Sequence, residues 1–67
     1  MTQKNLILEY LLTGATITPL VALQVAKSLR LSERIRELEE EGWSIAHIWQ
    51  HEDGKHFMGY KIAIPHG

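Results

Sequence analysis

The 67-residue chain contains no cysteine. This excludes a disulfide framework, and it excludes a zinc site built on thiolates. A chain of this length predicts a single domain, residues 1–67, with one small core. We therefore expect its stability to come from core packing or from self-association.

Long apolar runs are missing, and so is a basic amino-terminal region followed by an apolar one. We expect neither a membrane span nor a signal peptide, and we place the protein in the cytoplasm. An excess of basic charge is missing too, because seven Lys and Arg residues stand against eight Asp and Glu residues, a formal net charge of -1. Proteins that coat nucleic acid without selectivity are strongly basic, so this class is disfavoured.

Patterns that carry catalysis or hold a metal are equally scarce. There is no cysteine nucleophile, and Ser32 has no histidine at a recognisable spacing, so we predict no enzymatic activity and no small-molecule substrate. His51 and His56 flank a predicted turn, but two histidines at an exposed tip, with no third ligand held rigidly beside them, do not fix a tetrahedral site. We predict no metal and no cofactor.

What the chain does contain is a well-marked pair of helices between residues 17 and 42. Thr18 supplies an N-cap oxygen, and Pro19 stands at the first helical position, where its missing N–H costs nothing. These residues begin helix two, predicted over residues 19–26. The side chains expected to face the core are Leu20, Leu23 and either Val25 or Ala26.

Helix three is predicted over residues 28–41. After a turn at Lys27, Ser28 can cap it, and Gly42 can adopt the left-handed conformation that ends it. The apolar positions follow the i, i+4, i+7 spacing of one buried face: Leu31, Ile35 and Leu38. Two helices joined by a tight turn are typical of a helix-turn-helix unit.

Helix one is predicted over residues 2–13 and begins at a Thr2 cap. Its apolar residues recur at helical spacing, as expected of a helix that packs behind the other two: Leu6, Ile7, Tyr10 and Leu11. The β-branched, apolar stretch at residues 15–17 is too short for an independent strand, but it could pair with the edge of a later hairpin.

Residues 43–64 predict a β-hairpin around Asp53 and Gly54, the pair preferred in a two-residue type I′ turn. With these two residues as the loop, Glu52 faces Lys55. One face then holds the mostly apolar pairs Trp43–Ile64, Ile45–Ile62, His47–Tyr60 and Trp49–Met58. The other face holds Ser44–Ala63, Ala46–Lys61, Ile48–Gly59 and Gln50–Phe57. A hairpin directly after helix three is the wing of a winged helix, so the predicted fold class is α+β, with three helices followed by a two-stranded wing.

The charges of helix three run from basic to acidic, against the order that its macrodipole favours. An anion held near its beginning would explain this order, because arginines and unpaired N–H groups would converge on a phosphate there. The alternative is that the charges form i, i+4 pairs on a solvated face.

With the apolar stripe buried, the opposite face of helix three would meet a major groove. It carries Leu29, Ser32, Glu33 and Arg36, flanked by Arg30 and Glu37. Arginine suits guanine, serine suits several bases, glutamate accepts from cytosine, and leucine can touch a thymine methyl. We assign base contacts to this face and phosphate contacts to Lys27, Arg34 and Lys55. Arg34 lies nearer the buried stripe, so it is placed either for a phosphate or for a pair within the protein.

Three motifs, I-T-P-L-x-A-L, R-L-x-x-R-I-x-E-L-x-x-x-G and Y-x-I, resemble those of small winged helix-turn-helix proteins of bacteriophages and prophages. The residues that carry the resemblance are Ile17, Thr18, Pro19, Leu20, Ala22, Leu23, Arg30, Leu31, Arg34, Ile35, Glu37, Leu38, Gly42, Tyr60 and Ile62. The resemblance implies binding of double-stranded DNA in a bacterial host cell, as a transcriptional regulator or an excision-type accessory factor. Two positions depart from the family, since its turn residue, often glycine, is Lys27 here, and its often basic helix end reads Glu39-Glu40-Glu41.

The predicted wing carries exposed apolar residues, which often mark an interface. Ile48 and Phe57 lie on its outer face, and Trp49 with Met58 lies far enough along to be only partly covered. A second copy is the economical partner, because a homodimer doubles the phosphate contacts and reads two half-sites.

A second function remains open from the residues alone. The winged helix could be a protein-binding module, for instance a phage product that occupies or inhibits a host protein by mimicking nucleic acid. The acidic residues available for such mimicry are Glu37, Glu39, Glu40, Glu41, Glu52 and Asp53.

Overall fold

The computed structural model describes residues 2–63, with only the backbone at Glu52. Its elements are α1 (Gln3–Leu12), α2 (Pro19–Ala26), α3 (Leu31–Glu40), β1 (Ile45–Glu52) and β2 (Lys55–Ile62). The two strands form one antiparallel sheet, hereafter the wing. Three helices followed by a two-stranded wing confirm the predicted fold class.

The first two helices begin at the threonine caps that the sequence indicates. The Asn5 N–H donates to Thr2 Oγ1 over 3.1 Å, and the Val21 N–H donates to Thr18 Oγ1 over 3.3 Å. Each bond satisfies an N–H that has no partner inside its helix. Pro19 follows the second cap as the first helical residue.

Helix α3 begins three residues later than predicted, because Ser28 is not its cap. Lys27 ends α2 in a left-handed conformation with φ of 53°, and the chain needs the next three residues to turn. Ser28 is buried, and its Oγ accepts the Arg30 N–H over 3.2 Å, so the hydroxyl holds the turn together. Arg30 becomes the N-cap residue, without a side-chain hydrogen bond.

The end of α3 is closed as predicted by Gly42, which has φ of 105°. Its N–H donates to the Glu39 carbonyl over 3.0 Å, and the Trp43 N–H donates to the Leu38 carbonyl over 3.1 Å. This pair of bonds is the Schellman arrangement, which aims the chain away from the helix axis and into β1.

The core is built where the helices meet the wing, and its buried apolar residues are Ile7, Leu11, Ile17, Ala22, Ala26, Leu31, Ile35, Leu38, Ile45, Tyr60 and Ile62. The prediction that Leu20 and Leu23 face this core is wrong, because both are exposed and α2 buries Ala22. Of the alternatives Val25 and Ala26, it is Ala26 that is buried. Residues 19–26 contain no charge, so hydrophobicity does not distinguish the faces of α2, and tertiary packing selects the side with two small residues.

The wing has the predicted register, from Ile45 opposite Ile62 to Glu52 opposite Lys55. Asp53 and Gly54 both have positive φ, 51° and 75°, as a type I′ turn requires. The predicted pair Trp43–Ile64 cannot be placed, because Ile64 lies outside the described residues.

The short stretch before α2 pairs with the wing, as the sequence allowed. Ile17 and Tyr60 form an antiparallel bridge in which each N–H donates to the other carbonyl over 2.8 Å. Both side chains are buried, so the wing is attached to the helices through backbone hydrogen bonds and through the core.

Candidate nucleic-acid interface

The exposed side of α3 begins in the turn before the helix. Because Leu31, Ile35 and Leu38 are buried, the polar side chains Ser32, Glu33 and Arg36 are exposed. Leu29 and Arg30 are exposed beside them, although they belong to the turn rather than to the helix. The residues assigned to base contacts are therefore all exposed, from the turn at residues 29 and 30 to Arg36 in the middle of α3.

The arginines of this surface differ in how strongly the protein already holds them. Arg30 Nη1 lies 3.3 Å from Glu33 Oε2, an exposed pair of the kind that typically contributes about 0–1 kcal/mol. Arg36 forms no ion pair with any side chain in the described part of the chain. Its guanidinium is the one most available to an external acceptor.

Arg34 is oriented toward the body of the protein. Its Nη1 donates to both Glu37 carboxylate oxygens over 2.8 Å, and its Nε is buried without an acceptor among the described residues. The pair lines a shallow pocket with Thr2, Gln3 and Lys4. The sequence left two roles open for Arg34, a phosphate contact or a pair within the protein. In the structure Arg34 is paired within the protein, with Glu37.

The acidic end of α3 is largely committed to internal contacts as well. Glu41 forms an ion pair with Lys4, and this hydrogen bond raises the pKa of the Lys4 ammonium above its usual value. Glu39 Oε2 lies 3.0 Å from His47 Nε2 on the wing. With Glu37 held by Arg34, three of these glutamates face α1 or the wing, and Glu40 alone is exposed without a partner among residues 2–63.

The wing tip places two histidines against each other. The rings of His51 and His56 meet edge to face with centroids 4.1 Å apart, and Asp53 and Lys55 are exposed at the turn. In the described range, 2–63 without the Glu52 side chain, no three metal-ligating side chains come together. His47, further along the wing, contacts Tyr60, and their ring centroids lie 5.0 Å apart.

The four wing residues expected at a protein interface lie on two opposite faces. Trp49 is 65% exposed, whereas its neighbour Met58 packs partly buried against the core. Ile48 and Phe57 point to the other face, where Phe57 is half-buried. These residues therefore do not form one continuous patch.

An exposed apolar surface on α2 and the following turn is the feature that sequence reasoning missed. Leu20 is 64% exposed, Leu23 43% and Leu29 86%. With Pro19, these residues form what we call the α2 apolar surface. The signal was present in the sequence, because Ala22 and Ala26 are spaced i, i+4 and mark the side on which α2 can approach other elements closely.

Two grooves meet on this surface. A groove of about 270 Å³ lies between α2 and the turn, and its lining includes Leu23, Ser28 and Leu29. A larger one of about 610 Å³ lies between α2 and the wing, lined by Val21, Gln50, Asp53, Lys55 and Phe57 among others. Pro19 and Leu20 line both grooves.

Residues 2–63 match the family model described as winged helix-turn-helix domain. No curated protein and no solved structure matches the chain. Within the described residues, no helix is long and apolar enough to cross a membrane.

Proposed function

The chain belongs to the winged helix-turn-helix domain family, and from this premise we propose that it binds double-stranded DNA with the N-terminal half of α3 in the major groove. Domains of this family are typically DNA-binding modules rather than enzymes. The observation that carries the proposal is the exposed polar face of α3, on which Arg36 has no ion-pair partner among the described residues.

We assign the base contacts to the side chains of this face. Arg30 and Arg36 suit guanine edges, Ser32 suits several bases, and Glu33 can accept from cytosine. Leu29 is exposed at the same end and suits a thymine methyl. Arg30 must exchange Glu33 for a base, which costs little because the pair is exposed.

Phosphate contacts fall to Lys27 in the turn and to Lys55 at the wing tip, both of them exposed. Lys27 directly follows α2, and Lys55 begins β2 at the wing tip. Arg34 reaches a phosphate only by leaving Glu37, so it contributes less to affinity than the two lysines.

The acidic end of α3 limits how the helix docks. Exposed Glu40 repels phosphates, and Glu37, Glu39 and Glu41 are held against α1 and the wing. The helix therefore enters the groove by its N-terminal end and does not lie along it. The same pairing lowers the acidic charge available for nucleic-acid mimicry, so DNA binding is the better supported function.

The biological role that fits is a transcriptional regulator or an excision-type accessory factor of a phage or prophage, working in the bacterial cytoplasm. A homodimer would read two half-sites and double the phosphate contacts. The small size of the chain and its modest charge favour such cooperative binding over tight binding by one copy.

The test is selection from a random duplex pool, followed by affinity measurements on the enriched sequence at about 50 and 200 mM salt. We expect specific enrichment and a steep salt dependence. Arg36→Ala should weaken binding by about 1–3 kcal/mol and relax the preference at one base position.

Lys61→Ala is the matched control, because Lys61 is an exposed cation of β2 outside the proposed contact set. It should leave the preferred sequence and the affinity nearly unchanged. Failure of the wild-type protein to retain any duplex at the lower salt concentration would overturn the proposal.

A further inference from the structure

The outer edge of β1 carries backbone groups that have no partner in the described part of the chain. The Ala63 N–H donates to the Ser44 carbonyl over 2.9 Å, so these two residues are a hydrogen-bonded pair of the antiparallel ladder. Bonded and non-bonded pairs alternate along such a ladder. Because the register is unbroken, the N–H and C=O groups at the odd-numbered positions of β1 point away from β2. These positions are Ile45, His47, Trp49 and His51.

The opposite edge of the wing follows the same alternation, and there the outward groups are used. Tyr60 lies opposite His47, at a non-bonded position, so its N–H and C=O point away from β1. Both are bonded to Ile17 over 2.8 Å. Of the two wing edges, the β2 edge is therefore attached to the helical body, whereas no backbone group of residues 2–63 bonds to the β1 edge.

The β1 strand lacks the features that usually protect a free edge. Monomeric proteins block such edges with lysine, proline, a bulge or a very short strand. β1 is eight residues long, contains neither lysine nor proline, and pairs with β2 without a bulge. β2, by contrast, contains Lys55 and Lys61. The β1 edge is therefore suited to pairing with a further strand.

The exposed apolar residues of β1 also favour a strand as the occupant. Trp49 is 65% exposed on one face of the wing, and Ile48 is 36% exposed on the other. A partner docked against one face would leave the other uncovered. A strand added at the edge lies beside both residues, because its side chains alternate between the same two faces.

We propose that two copies of the chain pair through β1, antiparallel about a two-fold axis at Trp49, so that the two wings form one four-stranded sheet. An antiparallel edge is complementary to itself, because the two-fold axis brings each outward N–H opposite an outward C=O. The pairing deepens the proposed DNA binding and rests on it for its use, since it is the contact that would join two copies on two half-sites.

The side chains and charges of β1 are compatible with this register. Trp49 faces Trp49 of the second copy, and aromatic pairs stabilise neighbouring strands. His47 faces His51 of the second copy, so Glu39, which lies 3.0 Å from His47, is placed near a second imidazole. Glu52 is the one Asp, Glu, Lys or Arg residue of β1, and it pairs with Ala46. Acidic residues therefore do not face each other across the axis.

Hydrogen exchange of single amides distinguishes strand pairing from a contact between side chains. In dilute protein the even-numbered amides of β1 should be protected by β2, and the odd-numbered ones should exchange freely. At NMR concentrations, and without DNA, the amides of His47, Trp49 and His51 should exchange at least about tenfold more slowly. High concentration is needed because one strand is small beside the roughly 20–30 residues a side of a standard interface.

The substitution Trp49→Lys introduces a charge at the centre of the pairing, as natural edge strands do to stay unpaired. Sedimentation should show that this variant associates at least about tenfold more weakly than the wild type. Circular dichroism should show it folded, since Trp49 is mostly exposed.

Leu20→Lys is the matched control, because Leu20 is 64% exposed and belongs to α2. It should dimerise as the wild type does. If it abolishes the dimer instead, the α2 apolar surface is the contact and the proposal is overturned.

The proposal is also overturned if the odd-numbered amides of β1 stay unprotected at NMR concentrations, or if Trp49→Lys associates as strongly as the wild type. None of these measurements contains DNA, so the two proposals fail separately. A dimer with a protected β1 edge that retains no duplex would overturn DNA binding alone. Duplex binding by a protein whose β1 edge stays unprotected would overturn the pairing alone.

Discussion

Lys27 holds a backbone conformation that glycine adopts more easily. Its φ of 53° ends α2, and its N–H donates to the Leu23 carbonyl over 3.0 Å. A side chain in this region costs roughly 1 kcal/mol relative to glycine. In return, the position presents an exposed cation beside the face assigned to DNA. We interpret this as stability given up for a charge at the proposed DNA interface.

The substitution Lys27→Gly tests this interpretation, because its two effects should have opposite signs. We expect the free energy of unfolding to rise by about 0.5–1 kcal/mol as strain is relieved. Affinity for the selected duplex should fall, and the salt slope should decrease by about one. Urea denaturation and salt-dependent binding measure the two quantities.

Lys27→Ala serves as the comparison, since it removes the same charge but keeps a Cβ in the left-handed region. It should lose the same DNA affinity without gaining stability. A glycine variant less stable than the alanine variant would contradict the account.

At the scale of elements, the wing is attached to the segment before α2 by a close approach of two backbones. Gly59 lies opposite Ile48 in the sheet, and a Cβ added to it would lie 2.8 Å from Thr16 Cγ2. No real Cβ sits that close, so glycine is needed for space rather than for its dihedral angles. The Ile17–Tyr60 bridge, one residue further on each chain segment, depends on this approach.

Gly59→Ala should therefore destabilise the protein by about 1–3 kcal/mol through overpacking. Thr16→Ser removes the obstructing methyl group, so the double variant should recover part of the loss. A double-mutant cycle followed by chemical denaturation gives the coupling energy between the two sites. Strict additivity would mean that the contact with Thr16 is not the cause.

At the scale of the whole molecule, Tyr60 connects the wing to the helices, because it belongs to the common core and pairs with the segment before α2. It is buried, pairs with Ile17 through the backbone and contacts His47. Burial disfavours the tyrosinate, and the nearby Glu39 charge adds to this, so the pKa of Tyr60 is raised above 10.0. Ionisation of Tyr60 therefore lowers the free energy of unfolding of the whole domain.

The sign of the effect follows from linkage. The native state holds the Tyr60 proton more tightly than the unfolded state, whose pKa is about 10. The free energy of unfolding is therefore undiminished by this group below about pH 10 and falls as the pH rises through the higher native pKa. Tyr60→Phe should flatten this alkaline decline.

Denaturation curves of both proteins at neutral and alkaline pH provide the measurement. The Lys4–Glu41 pair is present in both, so its own alkaline loss cancels from the comparison. If the free energy of unfolding falls equally in the two proteins at alkaline pH, ionisation of Tyr60 is not the cause of the fall.

The order of elements could be predicted because local signals determine it. Thr18 and Pro19 start a helix, Gly42 ends one, and Asp53-Gly54 closes a hairpin in one register. The buried face of α3 could be predicted for the same reason, since Leu31, Ile35 and Leu38 recur at helical spacing among charged residues. The polar face of the proposed DNA site follows directly from that stripe.

The orientation of α2 and the partners of the charges could not be read in this way. Ser28 was predicted to cap helix three, and only the left-handed turn at Lys27 decided that it holds the turn rather than the helix. Arg34 likewise had two roles open, and its place beside α1 and Glu37 decided between them.

The sequence by itself therefore determined which elements form, where most of them begin and end, and how the strands pair, because capping, turn chemistry and periodicity act within a few residues. Only the tertiary structure decided which side of α2 is buried, where the glutamates of α3 point, and that Leu20, Leu23 and Leu29 form an exposed surface. The physical reason is that a helix without charges has no polar face to mark its exposed side, so the spacing of Ala22 and Ala26 is its only local sign of orientation. Its buried side is set by which residues allow close packing in the assembled core.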